Sequence, residues 1–376
     1  MAHVYDAIVI GLGGMGAAAL DALARRRCRA IGLDRHDVPN DLGASYGHET
    51  RIYRFSYFED PRYVPLMRRA YELWLELEQG QPDAIVHPVG CLEIGLPAGK
   101  LVLGALAAAR LHDLPHDVLS AADLRRRFPA WSLPDDFVAL HEAHAGFLRA
   151  DRGLSALLAR ALAAGADVRA REPVRRWSST GSRVSVETER GVYEAQHLVI
   201  AAGAWTGELL PELAHAFVPE RQVVAWFAPL SQKLFEAGQF AAFGLDAPEG
   251  LFYGFPAHSR PGFKFARYNH RQEQGEAAFR RSVDEQDLAL LARAVERYLP
   301  QGAGPVLSAM TCLFTNSPDG HFVLDRLAGR DHVIVAGGCS GHAFKFMPAI
   351  GECIADLVLD GRARHDIGLF GVDRLA

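Results

Sequence analysis

Three glycines near the N-terminus, at the spacing Gly-x-Gly-x-x-Gly, constrain the fold more than any other feature of this chain. The apolar run 7–10 predicts a buried strand directly before them, and the Ala- and Leu-rich stretch 15–27 predicts a helix directly after them. In such a unit Gly11 makes the tight turn, Gly13 lets the backbone approach a pyrophosphate, and Gly16 lets helix and strand pack closely. The motif therefore predicts a dinucleotide-binding unit.

The acidic residue that such a unit uses follows about 20 residues after the glycines. The stretch 28–33 predicts a second strand, which ends at Asp34, where a carboxylate can accept hydrogen bonds from a ribose diol. The intervening helix directs the positive end of its dipole at the phosphates. A tight turn without a ligand is the alternative, and the unit alone does not distinguish FAD from NAD.

Two later segments favour a flavin. The segment 198–205 predicts an apolar strand that ends in a small-residue turn and runs beside the first unit. The segment 333–338 predicts another buried strand, followed by a glycine-rich turn and a helix from about Pro348. Such a turn could direct backbone N–H groups at the pyrimidine end of an isoalloxazine, which an NAD-binding domain does not need. A simple strand-helix connection is the alternative.

Composition and charge exclude other classes. The chain has 376 residues and a net charge of −5 with His neutral, so it shows no basic footprint for nucleic acid and no polybasic membrane patch. Its 5 cysteines lack C-x-x-C spacing, which argues against a zinc site or a disulfide framework and favours a reducing compartment. No leader and no apolar run of about 20 residues is found. We therefore expect a cytoplasmic enzyme of two domains.

Several strings occur in order along nearly the whole chain. They are 8–16, 50–54, 63–66, 250–256, the cysteine at position 312 with its neighbours, and 340–346. In order and spacing these strings resemble the monomeric sarcosine oxidase family, with its N-methyltryptophan oxidase and pipecolate oxidase relatives, in the FAD-dependent glycine/D-amino-acid oxidase class.

The resemblance implies an α/β fold with two domains. A Rossmann-like FAD-binding domain would be built from the separated segments 1–80, 145–220 and 308–376. A substrate domain with a mixed or antiparallel sheet would take 81–144 and 221–307.

The resemblance also implies how FAD is held. Cys312 matches the family cysteine that is bonded covalently to the 8α carbon of FAD, whereas residue chemistry alone favours a buried structural thiol. The other predicted cofactor-binding residues are Gly11, Gly13, Gly14, Met15, Gly16, Asp34, Arg35, Ser45, Thr50, Arg51, Val174, Ala202, Gly203, Trp205, Gly338, Gly341, His342, Phe344 and Lys345.

The same matches imply substrate-binding and catalytic roles. Arg54 and Lys345 match the pair that binds the substrate carboxylate, a role that suits an arginine and a lysine in a dry pocket. Lys264 matches a lysine near the flavin N5 that promotes the reaction with O₂, and Arg51 matches an arginine close to the flavin. The remaining predicted substrate-binding residues are Tyr253, Phe314, Tyr268 and His270.

Three departures from the family pattern concern the substrate. Phe314 stands where a tyrosine is usual, and Tyr268, with His270 two residues on, takes the offset of a substrate-contacting histidine. The stretch 44–49 departs from the family's His-Gly pattern. These changes predict a secondary amino acid that is larger or more apolar than sarcosine, either N-methylated or pipecolate-like.

The expected activity is the oxidation of a secondary amino acid to an imine by a monomeric FAD enzyme, with O₂ reduced to H₂O₂. Because FAD carries the chemistry, no acid-base triad is needed, and none is seen. An amine dehydrogenase that passes electrons to a carrier is one alternative, against which Lys264 argues. A non-catalytic flavin-binding subunit is another, against which Arg54, Lys264 and Lys345 together argue.

Overall fold

The computed structural model describes residues 3–39 and 49–375. Within these ranges no helix combines the length and apolarity needed to cross a bilayer, and no three His, Cys, Asp or Glu side chains cluster as a metal ion would require. The α-helices span Gly14–Arg25, Tyr63–Glu78, Lys100–Leu111, Ala121–Arg127, Ala150–Ala163, Thr206–Leu209, Glu285–Tyr298 and Met347–Leu359.

The first sheet has eight strands and is built around the predicted N-terminal unit. Its parallel centre places Ile8 between Leu198 and Ile31, and Leu198 opposite Val333. The predicted placement of the 198–205 strand beside the first unit is thus confirmed. In spatial order one row of strands is Val174–Thr180, Arg183–Thr188, Val192–Ile200, His3–Ile10, Ala30–Leu33 and Asp167–Arg169; Arg330–Gly337 also pairs with Val192–Ile200 and carries Val323–Leu327 on its other edge.

The first helix, Gly14–Arg25, is buried along most of its length between two other helices. Against Met347–Leu359 the approach is close, because a Cβ on Gly351 would lie 2.3 Å from the carbonyl oxygen of Ala18. Against Ala150–Ala163 the buried Asp21 carboxylate accepts from the Arg160 guanidinium at 2.6 and 2.7 Å. The helix is therefore fixed on both sides, which in turn fixes the glycine turn at its start.

That helix ends two residues earlier than the sequence predicts. Arg27 has φ +62°, its N–H donates to the carbonyl of Ala24, and the Cys28 N–H donates to the carbonyl of Leu23. This is a Schellman ending with an arginine where glycine is usual. This ending could not be predicted from the helix pattern, because no glycine marks it.

The second sheet also has eight strands and is mostly antiparallel. A phenylalanine-rich core that includes Phe227, Phe243, Phe263 and Phe265 packs on one face. Its strands in spatial order are Val306–Asn316, Val218–Phe227, Phe263–Arg267, Gly250–Phe255, Ala242–Ala247, Cys91–Gly95, Val138–Glu142 and Asp117–Ser120. A smaller sheet joins Thr50–Tyr53, Gly146–Arg149 and Val86–His87.

The observed sheets agree with the predicted α/β class. The exact division into two domains remains a prediction. The strand Val306–Asn316 spans the predicted boundary at 308 and pairs along its length with Val218–Phe227 in the second sheet. It carries Cys312, which stands opposite Gln222 in this pairing.

Candidate functional site

The glycines of this turn have different roles: two permit close packing, and one leaves space for a ligand. Gly11 has φ +88°, and a Cβ there would lie 2.5 Å from the carbonyl oxygen of Ala201. A Cβ on Gly16 would lie 1.7 Å from the carbonyl oxygen of Gly11. Both positions therefore require glycine for close packing. Around Gly13, by contrast, no atom lies within 4 Å of a Cβ built there, so a ligand can approach its backbone.

Asp34 is held at the end of its strand by two backbone N–H groups. The Leu12 N–H donates to Oδ2 at 2.7 Å, and the His36 N–H donates to Oδ1 at 2.8 Å. Burial raises the pKa of the Asp34 carboxyl, and the two hydrogen bonds oppose that rise. The carboxylate is thus fixed in orientation and can accept from hydroxyl groups such as those of a ribose.

A large cavity opens in front of Gly13 and Asp34, and we call it the first cavity. It spans about 1300 Å³ including its open mouth, and its walls come from both ends and the middle of the chain. Among the predicted cofactor-binding residues, those that line the first cavity are Gly11, Gly13, Gly14, Met15, Asp34, Arg35, Arg51, Val174, Ala202, Gly203, Trp205, Gly341 and Phe344.

Other predicted cofactor-binding residues lie elsewhere. The predicted residues that do not line the first cavity are Gly16, Thr50, Cys312, Gly338, His342 and Lys345, and Ser45 lies outside the described residues. Other residues that line the first cavity were not predicted from the sequence. These are chiefly His36, Leu154, Glu172, Cys339 and Met347. Of these, Cys339 could have been found, because it stands inside the glycine-rich turn that was singled out.

Cys312 is buried in the second sheet and is 1% exposed. It lies close enough to Lys264 and Tyr253 to interact electrostatically with both side chains. Cys339 is the other thiol near the site, and burial raises its pKa to about 12. The thiol of Cys339 is therefore protonated at neutral pH.

A second cavity, of about 660 Å³ including its mouth, adjoins the first. Arg51, Gly341 and Phe344 line both cavities, so they form a shared wall. The predicted residues that line the second cavity are Arg51, Arg54, Tyr253, Tyr268, Gly341, His342, Phe344 and Lys345. The structure therefore brings the predicted carboxylate-binding pair, Arg54 and Lys345, into one cavity.

Arg54 lies between two carboxylates that sequence reasoning missed. Its Nη2 donates to the two oxygens of Glu59 at 3.0 and 3.1 Å. Its Nε lies 2.9 Å from Oε1 of Glu93, an ion pair without the alignment of a hydrogen bond. Its guanidinium also lies 5.0 Å from the ring centre of Tyr57 and 4.8 Å from that of Phe58. The guanidinium is thus removed from water, and the neighbouring carboxylates offset the cost of burying its charge.

Lys345 lies close to the charged side chains of Arg54, Glu59 and Glu93. Its Nζ donates to the carbonyl of His342 at 2.7 Å and lies 3.4 Å from the Tyr57 hydroxyl. Burial, with the nearby Arg54 charge second, lowers the pKa of Lys345 to about 7. Its charge at neutral pH therefore depends on which anions are near.

The two missed carboxylates differ in charge state. Burial disfavours the ionised form of Glu59, but nearby positive charge, that of Arg54 first, more than offsets this and holds its pKa below the usual value. Burial dominates at Glu93 and raises its pKa to about 7. An acid inside the apolar strand Cys91–Gly95 was the available signal, because a buried acid needs a partner or a function.

His342 is neutral and fixed. Its Nδ1 lies 2.6 Å from the Tyr57 hydroxyl and its Nε2 lies 2.8 Å from the carbonyl of Gly320. Burial lowers its pKa to about 4. It therefore shapes the second cavity without carrying charge at neutral pH.

Two predicted substrate-binding residues lie outside the second cavity. His270 is completely buried, with Nε2 3.2 Å from Oδ1 of Asp287, and burial lowers its pKa to about 4. Its neighbour in that buried network is Arg221. Phe314 lines the first cavity, with its ring centre 5.4 Å from that of Tyr268. Tyr268 does reach the second cavity, and its hydroxyl donates to the carbonyl of Ser340.

Lys264 is buried where the sheets meet. Its strand alternates, so Lys264 faces away from the phenylalanine core that holds Phe263 and Phe265. Its Nζ donates to the carbonyl and hydroxyl oxygens of Thr50, at 3.3 Å each, and lies 5.4 Å from the ring centre of Trp226. Burial, followed by the Arg51 charge, lowers the pKa of Lys264 well below its usual value.

Comparison with known proteins finds similarity over nearly the whole chain. Residues 6–357 match the family model described as FAD dependent oxidoreductase. Monomeric sarcosine oxidase of Streptomyces avermitilis is 40% identical over 381 residues, which cover 100% of this chain and 99% of that protein. N-methyl-L-tryptophan oxidase of Yersinia pestis is 32% identical, covering 98% of this chain and 99% of that protein. The solved structure of NikD, an unusual amino acid oxidase essential for nikkomycin biosynthesis, superposes with TM-score 0.83 at 26% identity and covers 98% of this chain and 97% of that chain.

Proposed function

The chain belongs to the FAD dependent oxidoreductase family, and from that premise we propose that it oxidises a secondary amino acid, N-methylated or cyclic, to an imine. The substrate loses two electrons and two protons, and O₂ takes up both to become H₂O₂. One observation carries the substrate class: Arg54 and Lys345 line a cavity that shares a wall with the first cavity. Two cations beside a redox site suit an amino-acid carboxylate.

The first cavity fits FAD. The open space at Gly13, the helix that begins at Gly14 and the oriented carboxylate of Asp34 suit a pyrophosphate and a ribose. The two-electron oxidation itself is the chemistry that FAD supplies when bound. The chain would hold the cofactor through these residues and through Arg35, Trp205 and the shared wall. We also propose Cys312 as its covalent attachment site, on the resemblance and on the closeness of Cys312 to Lys264.

Arg54 and Lys345 would orient the substrate. In the absence of substrate, the charges of Arg54 and Lys345 are balanced by those of Glu59 and Glu93 when all four groups are ionised. Because Glu93 has a pKa of about 7, it can take up a proton and leave the site with a net positive charge for the substrate carboxylate. Pairing of the substrate carboxylate with Arg54 and Lys345 would also align the substrate against the shared wall.

Lys264 would support the reduction of O₂. A pKa lowered well below the usual value means that the lysine is protonated most readily when a negative charge forms nearby. Its cation would then stabilise the negative charge that develops on O₂. This favours an oxidase over a dehydrogenase. The monomeric state and the cytoplasmic location both stay predictions from the sequence.

A panel of secondary amino acids tests the proposal. FAD-loaded protein is mixed with each amine, and H₂O₂ is measured with a peroxidase-coupled dye. We expect peroxide in equal amounts to the imine formed. Turnover only with an artificial electron acceptor would make the chain a dehydrogenase. If no amine reduces the flavin even without oxygen, the chain is a flavin-binding subunit and the proposal fails.

A further inference from the structure

We propose that Glu93 selects substrates whose side chain carries a hydrogen-bond donor, an ammonium or hydroxyl group, by accepting from that donor with Oε2. The inference rests on the proposed function and narrows its substrate class. It refines the size prediction made from Phe314: the substrate is larger than sarcosine, but its added part ends in a polar group.

The first observation is an incomplete hydrogen-bond set on a buried acid. Glu93 is 1% exposed and lines the second cavity. Oε1 is 2.9 Å from Arg54 Nε, but Oε2 has no hydrogen-bond partner within the described residues. A buried carboxylate oxygen left without a donor costs free energy, so its presence calls for a donor that arrives from elsewhere.

The second observation is that the chain makes room for this oxygen. Gly244 stands directly opposite Glu93 on the neighbouring strand. A Cβ on Gly244 would lie 2.7 Å from Oε2, and Gly244 also lines the second cavity. Any other residue at this position would displace the carboxylate. The glycine therefore leaves room for Oε2 in its present position, and both residues line the second cavity.

The third step concerns the substrate's own anchor. With the substrate carboxylate bound to Arg54 as proposed, Glu93 would contact the same guanidinium, because its Oε1 lies 2.9 Å from Arg54 Nε. A donor that reaches Oε2 would therefore have to lie on a side chain close to the substrate α-carbon. A short side chain such as that of ornithine meets this requirement, whereas sarcosine has no side chain and cannot.

Charge balance agrees with this arrangement. The charged or titratable groups that face Glu93 are Arg54, Glu59, Lys345, Glu142 and Cys91. Among them the carboxylates of Glu59 and Glu142 oppose the ionisation of Glu93. A cationic donor at Oε2 would favour the ionised form and would restore the pairing that these neighbours disturb.

The test compares two substrates that differ in one amine. Nα-methylornithine and N-methylnorvaline have the same carbon chain, but only the first has a terminal ammonium group. We expect the wild type to prefer Nα-methylornithine in kcat/KM by about 10- to 100-fold, as a charge-assisted hydrogen bond predicts. In Glu93→Gln this ratio should fall to about 1, because the neutral amide loses the charge.

Glu59→Gln is the matched control, because it removes the other carboxylate on Arg54. It should change kcat/KM for both substrates while the ratio between them persists. Loss of the ratio in Glu59→Gln as well would assign the preference to the general charge of the pocket and overturn the role of Glu93.

A measurement on the wild type keeps the proposal testable if Glu93→Gln does not fold. The ratio should rise between pH 6 and 8 as Glu93 ionises, about its pKa of 7. A ratio near 1 at every pH, with both substrates oxidised, would refute the inference and leave the proposed function intact. If neither substrate nor any other secondary amino acid is oxidised, the proposed function itself has failed.

Discussion

The Nζ of Lys264 donates to both oxygens of Thr50, at 3.3 Å each, and so joins the second sheet to the strand that carries Arg51. Two basic side chains are thereby placed together in a buried region, where burial and the Arg51 charge lower the pKa of Lys264. A negative charge that forms nearby would favour the protonated form of this lysine.

Lys264→Met should slow the reaction of the reduced enzyme with O₂ by two to three orders of magnitude, or about 3–4 kcal/mol, because the stabilising cation is lost. Reduction by the amine should change less. Stopped-flow mixing of reduced enzyme with oxygen measures this rate. Lys233→Met, at an exposed position, is the control. Reoxidation as fast as in the wild type would remove Lys264 from the oxygen reaction.

Cys312→Ala should release the flavin. Acid-precipitated wild-type protein should stay yellow, since a covalent bond survives denaturation, whereas the variant should leave its flavin in the supernatant. Cys339→Ala is the matched control, because Cys339 also lies at the first cavity. Free flavin from precipitated wild-type protein would contradict the proposed bond, and release only from Cys339→Ala would transfer it to the other thiol.

Lys345→Met should lower kcat/KM, with a loss of about 2–5 kcal/mol in transition-state stabilisation. The reason is that the substrate carboxylate loses one of its two buried cationic partners. Arg54→Gln should act in the same direction. Steady-state kinetics with the best substrate of the panel measures both. Lys100→Met, at an exposed helix start, serves as control. An unchanged KM and kcat in Lys345→Met would exclude this lysine from substrate binding.

The affinity for a simple carboxylate such as propionate should fall as pH rises through about 7. The pKa of Lys345 is lowered to about 7, so its charge is present below that pH and is lost above it. Glu93 gains negative charge in the same interval, because its pKa is raised to about 7, and this weakens anion binding in the same direction. Flavin absorbance titrations at several pH values give the dissociation constants.

A flatter pH profile is expected in Lys345→Met, where only Glu93 still titrates in this interval. A profile in Lys345→Met with the wild-type slope would show that other groups control the binding of anions.

Sarcosine should not be the best substrate. Tyr268 lines the second cavity and stands at the sequence offset where the resemblance implies a histidine. In a panel of N-methyl amino acids with pipecolate included, a larger member should give the highest kcat/KM. The highest value for sarcosine would refute the size argument while leaving the reaction class unchanged.

The fold was predictable where local chemistry decides it. Gly11 and Gly16 are glycines for reasons of backbone conformation and packing, and the spacing alone revealed them. The helix end at Arg27 was not predictable, because a left-handed arginine breaks the preference for glycine. In the same way, the sequence indicates which residue types a strand holds but not which distant groups it will meet.

The site shows the same limit. Arg54 and Lys345 were found through their motifs, yet their neighbours Glu59 and Glu93 come from other segments and carry no motif. His270 was expected at the substrate because of its offset from Lys264, but the pairing with Asp287 holds it elsewhere. A spacing cannot show which of two nearby partners a side chain will choose.

Residues in the wall shared by the two cavities should tolerate substitution less than residues that line the second cavity alone. With FAD and the amine bound as proposed, a substitution at Arg51, Gly341 or Phe344 would disturb both ligands together. Leu251, by contrast, lines only the second cavity and belongs to a strand of the second sheet. Exchanges at Leu251 should change which amine is accepted and leave the lining of the first cavity intact. Directed evolution of substrate scope should therefore begin there.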